Sequence, residues 1–357
     1  MIRVADVLAG LDRFGLAETI YLETGEVRVA VRCDGPMAEE LRRHFADALA
    51  GEGPVAATVD VLEGQTLDAE PDWVDWAREP GKSGRKDAYY DLEDGRLVRK
   101  IRTGMTFLQS PQALVAFGPC LAHPNQVINF INTQILNICK RDGWEICHAA
   151  AVTDGVTGLA IAGLSGGGKS TAILRMMDLD TTRFVTNDRL MVRATANGIV
   201  GLGIPKNPRI NPGTILHNPR LAPMLTEARR QELAAMPPDD LWQLEEKHDL
   251  FIGDIYGPDR VQFTMPLTEF WVLNWSRDSA APTQLRDAVL AERPDLLGAI
   301  MKSAGPFYQD ADGIFLRDHD PLEPEAYLAQ LQTVRLREVT GAIDFDVLAR
   351  AGEYLFA

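Results

Sequence analysis

The residues best suited to chemistry lie between Gly163 and Ser170, where the sequence reads GLSGGGKS and fits the pattern G-x-x-x-x-G-K-[ST]. Glycines let successive backbone N–H groups converge on a phosphate, and the N-terminus of a following helix adds positive charge. Lys169 is placed to reach the β- and γ-oxygens of a nucleotide, and the Ser170 hydroxyl to ligate Mg²⁺. The pattern therefore predicts a nucleotide phosphate site whose cofactors are ATP and Mg²⁺.

The elements around this loop support the same prediction. Residues 157–163 have the pattern of a strand, residues 172–177 that of a helix, and residues 184–186 that of a second apolar strand. A strand, a glycine-rich loop, a helix and a strand in this order form the context in which such a loop binds phosphate. The predicted nucleotide-binding residues are Gly163, Ser165, Gly166, Gly167, Gly168, Lys169, Ser170 and Thr171.

Two further side chains complete the predicted catalytic set with Lys169. Asp188 follows the second apolar strand, where a phosphate-loop protein needs a carboxylate near the metal or the nucleophile. We expect it to bind Mg²⁺ with Ser170 or to accept a proton, although a strand-end aspartate without a catalytic role remains an alternative. His148 ends a strand that should neighbour the strand of the loop, and it is either a second proton acceptor or a structural histidine.

These residues carry a resemblance to a known family. His148-Ala149-Ala150, the loop GLSGGGKST and Thr186-Asn187-Asp188 resemble the nucleotide core of the HPr kinase/phosphorylase family, and more narrowly the HprK-related kinase B group. The resemblance covers roughly residues 120–210 and is weaker over 242–260. It implies an α/β fold: a mixed-sheet core like those of phosphoenolpyruvate carboxykinase and HPr kinase, with a phosphate loop and a smaller N-terminal α/β unit.

The resemblance also implies roles for single residues. In that family a histidine precedes the loop, at the position of His148, and a pair of aspartates follows the next strand, at Asn187 and Asp188. The second aspartate accepts the proton of the substrate serine, so Asp188 takes that role here. Asn187 replaces one carboxylate, Thr171 stands where those enzymes often have Glu, and no Arg precedes Gly201-Leu202-Gly203. These departures favour a kinase without phosphorylase activity.

A proline-rich segment over residues 205–258 contains eight of the 21 prolines and is expected to be a lid or an acceptor-binding loop. Lys206 and Arg209 are candidates to contact the γ-phosphoryl group, or else are solvated loop charges. Glu246 and Lys247 belong to an ionisable cluster at residues 245–249. This cluster is an acceptor-recognition element, a metal-assisting lid or a solvated charged helix face.

Hydrophobic patterning predicts two domains, an N-terminal α/β domain of unknown role at 1–100 and the kinase domain at 101–357. Within the first, residues 4–14 and 37–49 should be helical, hairpins are expected at 21–32 and 89–103, and a single strand is expected at 55–62. Within the second we expect helices at 125–142, 226–236, 283–302 and 324–332, strands at 144–152, 269–275 and 333–339, and a terminal helix.

Composition excludes several classes of protein. A net charge of −15 disfavours binding to nucleic acid or to an anionic membrane. Four cysteines without metal-ligand spacing predict reduced, mostly buried thiols. The first 18 residues lack an apolar signal region, so a cytoplasmic protein is expected.

Three functions agree with the sequence. The first is an ATP-dependent kinase that phosphorylates a hydroxyl group, namely a serine of a partner protein. The second is a kinase of the same kind whose acceptor is a small molecule. The third is a non-catalytic nucleotide-sensing regulatory protein. The bifunctional enzymes that the sequence resembles form rings, which implies a homo-oligomer, but no interface is identifiable in the sequence.

Overall fold

The computed structural model describes residues 2–77, 84–163, 167–244 and 246–357. Contacts within the chain divide it into two compact units, one of residues 1–144 and 303–322 and one of residues 145–302 and 323–357. The boundary lies later than the expected residue 100, because the strands and the helix between residues 100 and 144 pack with the N-terminal sheet. No helix in the described ranges is long and apolar enough to cross a membrane.

The first unit is built on one mixed sheet. Its helices are α1 Val4–Ala9, α2 Gly35–His44 and α3 Pro124–Arg141, with a 3₁₀ turn at Ala46–Ala48. Its described strands are β1 Glu18–Thr24, β2 Val27–Cys33, β3 Leu49–Ala50, β4 Ala57–Glu63, β5 Val74–Asp75, β6 Asp87–Asp91, β7 Arg96–Lys100, β8 Thr106–Gln109 and β9 Leu114–Gly118. They lie in the order β3-β1-β2-β4-β9-β8-β7-β6-β5, with β2, β4 and β9 parallel to one another.

Helix α3 follows the apolar spacing that the sequence predicts, and its buried residues include Val127, Ile131 and Ile135. The predicted hairpins over 21–32 and 89–103 are present as β1–β2 and β6–β7. The helix expected over residues 4–14 is shorter, because α1 ends at Ala9 and is followed by Gly10.

The second unit contains the predicted phosphate loop. Its described strands are β10 Glu145–Cys147, β11 Ala149–Thr153, β12 Gly158–Gly163, β13 Arg183–Thr186, β14 Leu190–Thr195, β15 Gly198–Gly203, β16 Arg209–Ile210, β17 His248–Asp249, β18 Thr264–Pro266, β19 Glu269–Leu273, β20 Gln284–Asp287 and β21 Arg335–Thr340. Its helices are α4 Lys169–Met177, α5 Pro212–Leu216, α6 Glu227–Ala234, α7 Pro238–Gln243, α8 Ile252–Tyr256, α9 Pro294–Ile300, α10 Pro324–Leu331 and α11 Phe345–Leu355, with 3₁₀ turns at Pro219–Met224 and Leu290–Glu292.

Two sheets pack together in this unit. Within the described residues, a six-stranded mixed sheet has the order β13-β11-β12-β19-β21-β20, and a four-stranded antiparallel sheet has the order β10-β14-β15-β18. Ile161 and Trp271, on one face of the larger sheet, pack with Ile173 of α4 and Leu348 of α11. Phe270, on the other face, packs with Leu190 and with α9 and α10. Because both faces are covered, β11 and β12 are buried along their whole length and do not alternate with polar residues.

Two predicted elements differ from the structure. Residues 144–152, expected as one strand, form β10 in the smaller sheet and β11 in the larger one, with a break at His148. Residues 283–302, expected as helix, contain the edge strand β20, a 3₁₀ turn and the short helix α9, which begins at Pro294. Edge pairing of β20 with β21 overrides the local helical spacing.

Other expectations are confirmed. In the described part of the proline-rich segment, the chain forms short helices and only the two-residue strands β16 and β17, as expected from the donors that proline removes. All four cysteines are buried and free, and burial raises the pKa of the Cys33 thiol to about 12.

Candidate functional site

His148 lies where the chain leaves one sheet for the other. Its backbone N–H donates a hydrogen bond to the carbonyl of Ile300 at 2.7 Å, which replaces a partner within a sheet. In the next strand, Ala149 pairs with Ala162 of β12, so the antiparallel register brings His148 beside Gly163, the first residue of the loop motif. The break in the predicted strand thus places a histidine at the start of the loop.

A second crossing between the sheets brings Asp188 to the same place. Strand β13 ends at Thr186 in the larger sheet, and β14 begins at Leu190 in the smaller one. Since Thr186 pairs with Ala151 and Leu190 pairs with Cys147, the connecting residues pass over the break between β10 and β11. There Oδ1 of Asp188 lies 3.4 Å from Nε2 of His148. The two catalytic candidates on either side of the loop are therefore neighbours.

The described parts of the phosphate loop have the expected connection. Strand β12 ends at Gly163, and α4 begins at Lys169, directly after Gly168 with φ of 90° and ψ of 13°. The Nζ atom of Lys169 donates a hydrogen bond to the carbonyl of Gly163 at 3.0 Å, so the side chain reaches back across the mouth of the loop. Ser165 and Gly166 lie outside the described residues.

Two aromatic residues that the sequence analysis did not identify pack on the C-terminal part of this loop. The indole Nε1–H of Trp275 donates to the carbonyl of Gly167 at 2.8 Å. A Cβ placed on Gly168 would lie 2.5 Å from Cζ of Phe345, at the start of α11. One signal was available for Trp275: it follows β19, which is parallel to β12, and parallel strands bring their carboxyl ends to one edge of a sheet.

The first turn of α4 holds the remaining loop residues. Ser170 is half-buried there. The hydroxyl of Thr171 lies 2.9 Å from that of Thr214 in α5, so Thr171 links the loop helix to the proline-rich segment. This contact gives Thr171 a positioning role, whereas direct binding to nucleotide stays a prediction.

Asp188 is ionised in this environment. Burial opposes the charge, but the hydrogen bond with His148 and the nearby cations of Arg189 and Lys206 outweigh it, so the pKa of Asp188 lies well below its usual range. Its side chain retains 45% exposure and is therefore open to a molecule approaching from solvent. A charged, accessible carboxylate stands beside the loop.

Two lysines, Lys169 and Lys206, interact electrostatically with Asp188. Burial lowers the pKa of Lys169, with the attraction of Asp188 opposing this and Lys302 adding to it. Burial also lowers the pKa of Lys206, again opposed by Asp188, while Arg189 and two further cations add to the lowering. Both ammonium groups are thus within electrostatic reach of one carboxylate. The contact of Lys206 with a γ-phosphoryl group stays a prediction.

The remaining candidates lie in the proline-rich segment. Arg209 and Lys247 are exposed and contribute to the positive field at Lys206, and Arg209 is also paired with Asp249 at 2.9 Å. Glu246 is paired with Arg229 and His248, so the structure assigns it to a local network. Glu245, which the predicted cluster included, lies outside the described residues.

A divalent cation fits the oxygen donors that are present. Ser170 offers a hydroxyl and Asp188 a carboxylate, and Oδ1 of Asn187 is buried with no hydrogen-bond partner among the residues that the structure describes. Mg²⁺ prefers such hard oxygens and is bound by few protein groups together with phosphate and water. Within the described ranges, no three His, Cys, Asp or Glu residues cluster as a metal site would require, so the protein alone provides no complete cage.

Comparison with known proteins adds little. No protein-family model matches this chain, and no curated protein matches its sequence. Among solved structures, the Hpr(Ser) kinase/phosphatase from Coxiella burnetii is similar, with 12% identity and a TM-score of 0.29, over 59% of this chain and 97% of that one. A likeness this distant carries no conclusion about function or about single residues.

Proposed function

We propose that this protein is an ATP-dependent kinase that transfers the γ-phosphoryl group to a hydroxyl, with a serine of a partner protein as the acceptor. The observation that carries the proposal is the meeting of His148, Asp188 and Lys169 at the edge where β12 runs into the phosphate-loop motif. A carboxylate and a half-buried lysine beside a nucleotide motif are groups that phosphoryl transfer uses, and the histidine contacts the carboxylate.

Binding of the nucleotide follows from the loop. Backbone N–H groups at the N-terminus of the nine-residue helix α4 face the position of the phosphates, and the ammonium of Lys169 crosses the mouth of the loop. Lys206 and the cations around it add positive charge in a protein whose net charge is −15. This local field attracts a polyanion that the rest of the surface would repel.

Mg²⁺ would be held by Ser170 and Asp188, with Oδ1 of Asn187 as a further oxygen ligand. When bound, it would neutralise negative charge on the phosphates. The protein's own residues have separate tasks. Lys169 binds phosphate oxygens, and His148 holds the carboxylate of Asp188 through the 3.4 Å contact.

Asp188 also accepts the proton of the attacking hydroxyl. Its lowered pKa makes it a weak base, which suits a loose transition state in which the proton leaves late and positioning dominates. Because its side chain is 45% exposed, a serine on the surface of another protein can reach it. A small-molecule hydroxyl would also reach it, so the acceptor class has to be tested directly.

The test uses γ-labelled ATP, Mg²⁺ and lysate of the host organism, with three forms of the full chain. These are wild type, Asp188→Asn and the control Asp287→Asn. Asp287 is also an ionised carboxylate paired with an arginine, but it lies on β20 at the opposite edge of the six-stranded sheet. We expect Asp188→Asn to lower transfer roughly 10²- to 10⁴-fold while ATP still binds, since a general base contributes about this factor.

Each outcome separates the candidate functions. If wild type and Asp287→Asn label one protein in the lysate and Asp188→Asn does not, the result would support a protein kinase and reveal its substrate. Label confined to small molecules would replace the protein acceptor with a metabolite. ATP binding without any transfer would favour the nucleotide sensor, and equal turnover in wild type and Asp188→Asn would refute the proposed mechanism.

A further inference from the structure

An aromatic cluster extends outward from the phosphate loop. Trp275, bonded to the carbonyl of Gly167 at 2.8 Å, meets Trp242 of α7 edge to face, with ring centroids 5.9 Å apart and planes at 89°. The guanidinium of Arg277 lies over the Trp242 ring at 5.2 Å, and it is paired with Asp239 of the same helix at 2.6 Å. The loop backbone is thus connected to an outer indole through a single intervening ring.

Trp242 is exposed although it is held in place. Its exposure is 46%, whereas the preceding residue, Leu241, is buried and anchors the short helix. An indole costs free energy when it is left in water, and here two contacts, with Trp275 and Arg277, fix it without burying it. Rigid, accessible aromatic surface next to a ligand loop is typical of a stacking platform.

The position of the aromatic cluster beside the loop indicates which part of a ligand it would contact. The platform begins at hydrogen-bond distance from Gly167, so a ligand whose phosphates occupy the loop can place its other end against these rings. A planar base stacks on an indole, whereas a triphosphate chain has no surface that can do so. A purine offers the larger aromatic area and therefore the stronger contact.

We propose that Trp242 is the platform on which the purine base of the bound nucleoside triphosphate stacks, with Trp275 fixing the distance between platform and loop. The inference rests on the proposed nucleotide-binding function and adds the part of the site that recognises the base. An indole face does not distinguish adenine from guanine, so ATP and GTP should bind with similar affinity.

The test measures binding of MgATP, MgGTP and magnesium tripolyphosphate, which lacks a base, to the full chain by calorimetry. We compare wild type with Trp242→Ala, Trp242→Phe and the control Tyr354→Ala, which removes an aromatic side chain of 87% exposure from α11. Trp242→Ala should weaken ATP and GTP binding on the order of 10-fold and leave tripolyphosphate unchanged, since stacking on an aromatic ring is worth about that factor per base. Trp242→Phe should retain most of the affinity, and Tyr354→Ala all of it.

Failure of this inference is distinguishable from failure of the proposed function. If wild type binds neither ATP nor tripolyphosphate, nucleotide binding itself is refuted. If wild type binds tripolyphosphate as tightly as ATP, or if Trp242→Ala binds ATP normally, the base does not stack there. Equal weakening of ATP and tripolyphosphate in Trp242→Ala, with an unchanged melting temperature, would show that the ring only supports the loop and would overturn the platform.

Discussion

Replacing Gly168 with alanine should impair nucleotide binding for two separable reasons. The residue has φ of 90°, a left-handed conformation that costs an L-residue about 1–2 kcal/mol. The new Cβ would also lie 2.5 Å from Cζ of Phe345, so the two groups would have to separate by about 1 Å to reach normal carbon–carbon contact. Phe345 begins α11, whose Leu348 is fully buried against α4, so its ring has little room to retreat.

The expected magnitude follows from these two costs. In the free variant the loop relaxes into another conformation, and ATP binding must restore the strained one. The strain alone corresponds to a loss of about 5- to 30-fold in ATP affinity. With the clash against Phe345 added, the total loss of ATP affinity in Gly168→Ala should be about 10- to 100-fold. In the double variant with Phe345→Leu, the clash is relieved and the loss should return to the range set by strain.

The matched control is Gly155→Ala, in the turn between β11 and β12. Gly155 has φ of 98°, close to that of Gly168, but its Cβ would lie 4.0 Å from its nearest neighbours, the side chains of Arg183 and Gln262. It should lose about 1 kcal/mol of stability, measured by urea unfolding, and bind ATP normally. Unchanged ATP affinity in Gly168→Ala would refute the requirement for a left-handed residue, and absence of rescue by Phe345→Leu would refute the steric part.

Two further predictions concern the same loop. Trp275→Phe removes the hydrogen bond to the Gly167 carbonyl and should weaken both ATP and tripolyphosphate about 2- to 10-fold in calorimetry; a loss confined to ATP would contradict this role. Because burial lowers the pKa of Lys169 below its ordinary 10.5, ATP affinity should fall as the pH rises through that lowered value. In Asp188→Asn, which lacks the opposing carboxylate, the fall should begin at lower pH, and an unshifted profile would show that the two groups are not coupled.

Much of the loop and its surroundings is predictable because local rules determine it. The glycine run and Lys169-Ser170 specify the loop, and the apolar strands β12 and β13 with the intervening helix α4 are visible as periodicity. Asp188 was identified because it directly follows an apolar strand. In each of these cases, the residues that create the feature lie within a few positions of each other in the chain.

The neighbours supplied by distant segments were not predictable in the same way. Trp275 and Phe345 reach the loop from positions more than 100 residues further along the chain, through the parallel pairing of β19 and the packing of α11. The strand over residues 144–152 was predicted as continuous because its apolar run has no local breaker at His148. The break arises from the carbonyl of Ile300, which binds the backbone N–H of His148.

The pairing of His148 with Asp188 depends on how the two sheets of this unit dock. Each residue lies at a point where the chain passes from one sheet to the other, in opposite directions. The 3.4 Å contact therefore depends on the relative position of the two sheets. Packing of Leu190 and Phe270 between the sheets maintains that position. A cavity made there, for example by Leu190→Ala, loosens the contact without touching either group. It follows that the two side chains meet only in the folded unit, so the chemistry proposed for them depends on the docking of the sheets as well as on the loop motif.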